Sequence, residues 1–376
     1  MVFGFAALAL VCGAGLLGPL LVLPRRLQVP VVVGELAAGI GLGTTGLRLL
    51  DARDPTFAFL AQLGFALVMF VAGSHVPLRD PALRAGIGAG IARAAGVGVV
   101  ATGLAVWLAR LAGTGHVALY AVLLSSSSAA LVLPIVGSLD RQTGPALGLV
   151  PQVAVADIAC IVALPLAVDP AQAARAGVGA LVVAAVAGVL YIVLRHLEIS
   201  GTRRRVHRAS QQKALAVELR VDLALVFALS AIAVWAHVSV LLAGFSFGLV
   251  VAAVGEPRRL ARQLFALTEG FLGPLFFVWL GASLELRDLA RHPRLLLLGL
   301  ALGIGAVLAH AAMALVGQPV ELGVLAAAQL GVPVAAATLG ARSGLLEPGE
   351  APALVLGALV TIAAATAAAR RAARRR

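Results

Sequence analysis

Lysine is almost missing from this chain: Lys213 is the only one, so nearly all of its positive charge is arginine. Charge of any kind is scarce. Only 12% of the 376 residues are Asp, Glu, Lys or Arg, against about a quarter in a soluble domain, which argues against a water-exposed globular fold. Cysteine is limited to Cys12 and Cys160, both inside apolar runs, which leaves no disulfide framework and no Cys-based metal spacing. No polar stretch is long enough to fold as a soluble domain. The first apolar run, 2–23, has no basic segment before it and ends in Pro24-Arg25-Arg26, so it reads as a first spanning helix and not as a cleaved signal. The glycine-rich runs (Gly86, Gly88, Gly90; Gly299, Gly303, Gly305) have no Gly-Lys-Ser/Thr after them and read as helix-packing glycines. Nothing resembles a hydrolase elbow or a zinc site, so no enzymatic activity and no cofactor are expected.

What is present is hydrophobicity, 61% of all residues, in runs of 18 or more that recur along the whole length. That pattern predicts an all-α polytopic membrane protein. About 13 transmembrane helices are expected, near 2–23, 29–46, 56–74, 83–111, 116–137, 144–168, 176–196, 214–236, 238–254, 262–284, 294–316, 320–341 and 350–369. They form a single domain over 1–369, followed by a basic tail, 370–376. Arg262 and Glu269 open the tenth segment and are expected at the membrane interface. The net charge of +12 sits in the connections and the tail, where it sets topology; no nucleic-acid partner is expected. With the N-terminus outside and the C-terminus cytoplasmic, nineteen Arg/Lys fall on the inner side and eight outside, the expected bias. The default residence is a bacterial plasma membrane.

The chain also repeats itself. V-A-G-S-H-V-P-L-R-D (71–80) matches W-L-G-A-S-L-E-L-R-D (279–288), V-P-V-V-V (29–33) matches V-S-V-L-L (238–242) with Gly39 opposite Gly248, and P-A-L-G-L-V (145–150) matches P-A-L-V-L-G (352–357). Each match pairs a helix with the one seven further on. Seven is odd, so the halves insert with opposite orientation: inverted repeats over 1–175 and 214–369, joined by a linker helix and basic loop, 176–213. Inverted repeats place substrate sites near the midplane, where helices break. Corresponding breaks are expected at Ser125–Ser128 before Pro134 and Gly137, and around Gln329, Gly331, Pro333 and Gly340.

One carboxylate, Asp157, lies near the middle of the segment Gly144–Ala167. A carboxylate at that depth costs about 3 kcal/mol on insertion scales, so it marks an ion or proton pathway. Burial favours its neutral form and a bound cation its charged form, so proton and cation compete for one group. The offset of the Pro-Ala-Leu match puts Ala364 opposite Asp157, so the charge is not repeated in the second half.

These segments resemble the monovalent cation:proton antiporter superfamily, closest to its Kef-type, sodium-proton exchanger branch. The resemblance rests on V-P-V-V-V-G-E-L-A-A-G-I-G-L-G (29–43), L-G-F-A-L-V-M-F-V-A-G (63–73), S-S-S-A-A-L-V-L-P (126–134), A-D-I-A-C-I-V-A-L-P-L (156–166) and G-P-L-F-F-V-W-L-G (273–281). It implies a sodium/proton antiporter fold with crossed discontinuous helices, and a six-helix core, segments 4–6 and 11–13, moving against a dimerisation domain; a homodimer is implied. It further implies that Asp157 binds cation or proton, that Ser128 stands where a threonine is usual, and that Glu35 makes a structural contact. Two positions depart from the family pattern. Ala156 replaces the polar residue that usually precedes the aspartate, and segment 11 has no lysine. A regulatory nucleotide-binding domain, common after Kef-type membrane parts, is not present in this sequence.

The expected function is therefore exchange of Na+ or K+ for H+ by alternating access, electroneutral because one carboxylate carries the traffic. Ser126, Ser127, Ser128 and Gln329 are candidates to line the ion site, or small and capping residues at a helix break. His310, Arg93 and Glu35 are auxiliary candidates: His310 as a titratable substitute for the lysine, Arg93 as a partner of Asp157 or an interfacial residue. Three rival readings remain from the residues alone: a gated K+ efflux protein without proton coupling, an organic-anion carrier of related fold, and a non-transporting membrane subunit.

Overall fold

Asp54-Pro55 shows how this sequence starts a helix. The Asp54 carboxylate accepts the N–H groups of Thr56 (2.9 Å) and Phe57 (3.1 Å), and proline occupies the first turn, where no N–H is needed. A computed structural model describes residues 3–22, 30–76, 78, 79, 81–129, 131, 132, 136, 148–168, 173–201, 215–236, 238–255 and 258–374. The expected Pro134 and Gly137, the basic loop with Arg203–Arg205 and Lys213, and tail residues 375–376 lie outside the described residues.

The first half contains α1 (Phe5–Gly15), α2 (Leu17–Val22), α3 (Val31–Leu42), α4 (Pro55–Ser74), α5 (Pro81–Ala112), α6 (Val117–Ser125) and α7 (Leu149–Val168), with α8 (Ala173–Ile199) as linker. The second contains α9 (Val217–Trp235), α10 (Val240–Val254), α11 (Arg258–Leu267), α12 (Gly273–Ser283), α13 (Leu286–Arg291), α14 (Pro293–Ala311), α15 (Val320–Ala326), α16 (Gly331–Ser343) and α17 (Glu350–Arg374). Each of the thirteen expected segments is helical among the described residues. Eight helices are long and apolar enough to cross a membrane, and Phe5–Leu21, Val31–Leu42 and Val240–Val254 are shorter apolar helices. The protein is an all-α integral membrane protein.

Helix contacts follow the repeat. The α4–α10 and α3–α12 interfaces are exchanged by the seven-segment shift, and so are α5–α7 and α14–α17. Glycines make these crossings close. Gly39 faces Gly281, Gly73 faces Gly248, and Gly299 and Gly303 meet Ala353 and Gly357. Gly299 and Gly303 of the second glycine-rich run are therefore packing positions, as is Gly90 of the first, where an added Cβ would lie 2.8 Å from Gln152 N; at Gly88 an added Cβ would meet nothing within 4 Å.

Segment 10 departs from a plain spanning helix. It begins at Arg258 and passes through a π-turn, Thr268–Leu272, before α12. The π-turn admits one extra residue, which rotates by about 100° the faces that α12 presents to its neighbours. Segment 12 also departs, as expected. It breaks between Ala326 and Gly331, and segment 5 breaks at Ser126–Ser128, with Ser126 extended (φ −72°, ψ 149°).

Candidate functional site

The two breaks cross each other and are tied together by hydrogen bonds. The Ser128 N–H donates to Ala328 O (2.8 Å), the Ser127 hydroxyl donates to Ala326 O (2.7 Å), and the Ser126 hydroxyl donates to Gln329 Oε1. Interrupting a helix at this depth frees backbone groups that no water can satisfy, and each break here supplies partners for the other. Two further helices close the set. The Gln329 N–H donates to Thr361 Oγ1 of α17 (3.4 Å), and the Ala129 N–H donates to Asp157 Oδ2 of α7 (2.9 Å).

Asp157 thus caps the helical turn that resumes at Ala129. It is 6% exposed and makes no ion pair among the described residues. The second half-helix of segment 12 also starts at this point, with Gly331. Two positive helix N-termini near one carboxylate partly offset its charge. Asp157 and Ser128 line a cavity of about 210 Å³, together with Leu330 and Gly331 from the second break. Its other walls are Pro30–Val32, Ala72 and Glu269, so it extends toward the face where α4 ends and α11 begins. A second, smaller cavity of about 100 Å³ lies toward the opposite face, between Gln62, Ser239 and Thr338. Phe65 and Phe276 line both, and their rings stack at 4.6 Å.

The other candidates are placed differently. Ser126, Ser127 and Gln329 are buried at the crossover, bonded to the opposing break. Only Ser128 of the serine run shares the cavity with Asp157. His310 is 1% exposed; its Nδ1 lies 2.9 Å from Ala306 O and its Nε2 3.3 Å from Ser127 Oγ. A carbonyl only accepts, so Nδ1 carries a proton toward Ala306 O, and Nε2 lies beside the Ser127 hydroxyl. His310 therefore reaches the crossover through Ser127. Arg93 is half-buried on α5, with no hydrogen bond or ion pair among the described residues. Glu35 is buried on α3, one turn beyond Val31 of the cavity wall.

Three groups take places that no local pattern indicates. Glu269 lines the cavity wall: its helix starts at Arg258, four residues before the expected Arg262, and passes through the π-turn that holds Glu269. Thr361, one of two threonines in an alanine-rich helix, caps Gln329 of the second break as Asp157 caps Ala129 of the first, so Thr361 and not Ala364 makes the matching contact. Glu350 is fully buried, where it accepts from Tyr120 OH (2.6 Å) and the Glu347 N–H (3.0 Å) and faces His116 Nδ1 at 2.8 Å.

The model of the family "Sodium/hydrogen exchanger, transmembrane" matches residues 9–371. The chain belongs to the sodium/hydrogen exchanger family. Among its relatives, YjbQ of Bacillus subtilis, provisionally named a Na(+)/H(+) antiporter, is 25% identical over 312 residues, 78% of this chain and 50% of that protein. The chain thus spans about half the length of that relative. Among solved structures, the sodium proton antiporter MjNhaP1 from Methanocaldococcus jannaschii aligns with a TM-score of 0.61 at 14% identity, covering 97% of this chain and 96% of that one. The crossed broken helices of this exchanger-family chain thus sit in a fold shared with a solved antiporter.

Proposed function

We propose that the protein is a secondary antiporter that exchanges a monovalent cation, Na+ or K+, for H+ by alternating access, with Asp157 binding cation and proton in competition. The observation that carries this reading is one buried carboxylate at the crossing of two broken helices, on the wall of a cavity that it shares with Ser128 and Gly331. A desolvated carboxylate is costly while charged and unpartnered, so a proton or a cation stabilises it in turn. Ser128 and the break carbonyls offer the hard oxygen ligands such a cation prefers.

The stacked pair Phe65–Phe276 supports alternating access. It stands between the two cavities, so an ion at Asp157 meets one face at a time. Exchange of the second cavity for the first requires α4 and α12 to shift against the crossover, the core moving against a dimerisation domain. The protein works as a homodimer in a bacterial plasma membrane, N-terminus outside. Thr361 stands where a second carboxylate would complete the symmetry, and Ala156 adds no polar group, so one cation is exchanged for one proton and transport is electroneutral.

Dye-quench assays in everted vesicles, resolved by pH and run with Na+, K+ and Li+, test the reading. Wild-type protein dissipates the pH gradient on cation addition and Asp157→Asn does not. Normal exchange by Asp157→Asn removes Asp157 from the mechanism, cation flux without proton movement indicates a gated efflux protein, and a membrane current accompanying exchange rules out one-for-one stoichiometry.

A further inference from the structure

Gln329 of the second break is held from two sides. Its N–H donates to Thr361 Oγ1 of α17 (3.4 Å), and its side-chain Oε1 accepts the Ser126 hydroxyl of the first break. Thr361 is fully buried. Its single hydroxyl proton goes to Ala358 O (2.7 Å), so toward Gln329 it acts only as an acceptor. The neighbouring carbonyls Ala326 O and Ala328 O accept from Ser127 and Ser128 of the first break. Thr361 thus ties the second break to a helix that packs on both of its halves, α15 and α16. The residues after Gln329, Leu330 and Gly331, are on the wall of the cavity that holds Asp157, while Thr361 does not line it.

Asp157 and Thr361 cap the two breaks with different chemistry. The carboxylate that caps Ala129 is also the group that takes ion or proton, so its cap bond is shared with the cargo. A threonine hydroxyl does not titrate, so the second break is capped alike whether the site is empty, protonated or loaded. A proton needs one oxygen of Asp157. A hard cation takes several oxygen ligands at set distances, and such a shell keeps its geometry only when the residues behind it are themselves fixed. Loosening Gln329 therefore weakens cation binding and leaves proton binding at Asp157 as it was.

We propose that Thr361 is a positioning residue for the competition at Asp157: through Gln329 it holds the Leu330–Gly331 wall of the site in the geometry that lets a cation displace the proton. The proposal rests on Asp157 being the carrier, and it adds that the balance between the two cargoes is set from α17.

The test is the Na+ and pH dependence of exchange in everted vesicles for Thr361→Val and Thr361→Ser. Valine keeps the volume and loses the acceptor; serine keeps the acceptor and loses a methyl group. Thr361→Val is expected to raise the apparent KM for Na+ about threefold or more, by the same factor at each pH, with the maximal rate held within about twofold. At fixed, saturating Na+ the acid limb of its pH profile is expected to move up by about 0.5 pH unit, the logarithm of a threefold weaker competitor. Thr361→Ser is expected to keep the wild-type KM and acid limb. A purely structural role lowers the amount of protein and the maximal rate and moves neither quantity. Wild-type KM and acid limb in Thr361→Val overturn the proposal, and so does a raised KM in Thr361→Ser. If Thr361→Val does not reach the membrane, Thr361→Ala, which also lacks the acceptor, is read in its place. Asp157→Asn separates the two readings: normal exchange in that variant removes the carrier, whereas an inactive Asp157→Asn beside a wild-type-like Thr361→Val removes only the role of Thr361.

Discussion

Gly73 of α4 and Gly248 of α10 meet backbone to backbone, so that a Cβ added to Gly248 would lie 2.9 Å from Gly73 Cα and one added to Gly73 would lie 3.1 Å from Gly248 Cα. Gly39 of α3 and Gly281 of α12 repeat the arrangement, at 2.9 Å and 3.0 Å. The shift that relates the halves carries Gly73 onto Gly281 and Gly39 onto Gly248. The two crossings are therefore one contact used twice, inverted, and they lock together the four helices that flank the broken pair.

Substitution at these crossings is expected to abolish the fold. Gly73→Leu and Gly281→Leu place side chains against the carbonyls of Phe245 and Leu36, and overpacking of this kind costs about 1–3 kcal/mol or more at each site. Gly98→Leu on α5, where nothing lies within 4 Å of the added Cβ, serves as control. Fluorescence-detected size exclusion of detergent extracts checks this, with a monodisperse peak expected only for Gly98→Leu and wild type.

Asp157→Asn is expected to lose transport and keep its melting temperature, because the amide oxygen still accepts the Ala129 N–H. Asp157→Leu leaves that helix start uncapped and is expected to cost about 1 kcal/mol more, read as a lower Tm in a thermal-shift assay. Equal Tm values for the two variants would show that the cap contributes nothing.

Breaking the aromatic barrier is expected to uncouple the protein. Phe276→Ala removes the ring shared by both cavities and its stacking on Phe65. A cation-independent proton leak in vesicles is the predicted consequence, whereas a conservative Phe276→Leu keeps the gradient tight.

Glu350 anchors α17 to α6 through Tyr120 and His116. Glu350→Ala strands the buried Tyr120 hydroxyl and leaves the part-buried His116 ring and Glu347 N–H without their carboxylate; it is expected to lower stability by about 2–5 kcal/mol, while Tyr120→Phe removes one donor and costs about 1 kcal/mol. Chemical denaturation in detergent compares them. A larger loss for Tyr120→Phe than for Glu350→Ala contradicts this ordering.

Asp54, outside the spans, supplies a pH dependence. The N–H groups of Phe3, Phe57 and Thr56 hold its carboxyl below the usual carboxylate range. A depressed pKa means that the charged form stabilises the fold above the unfolded value and that this contribution is lost as pH falls through the folded value. Asp54→Ala is expected to lower Tm by a constant amount above about pH 5, and the gap to wild type is expected to close below about pH 4. A gap independent of pH would assign the effect to something other than the charge.

The sequence by itself determined the membrane class, the helix order and the inverted repeat, because each depends on local chemistry. Apolar length defines a span, Asp-Pro and Gly mark its ends and crossings, and seven-segment self-similarity forces opposite insertion. It also pointed to Asp157, since one carboxylate in hydrocarbon carries its own penalty wherever the helix packs. Only the tertiary structure decided how the polar groups divide. Ser126, Ser127 and Gln329 are consumed in joining the two breaks, Ser128 is left facing the cavity, and His310 reaches Ser127. Glu269, in a one-residue π-turn, stands on the cavity wall, and Thr361 caps the second break as Asp157 caps the first. Such assignments depend on which free backbone group lies nearest each side chain once two helices about 200 residues apart have crossed, and no local pattern encodes that distance.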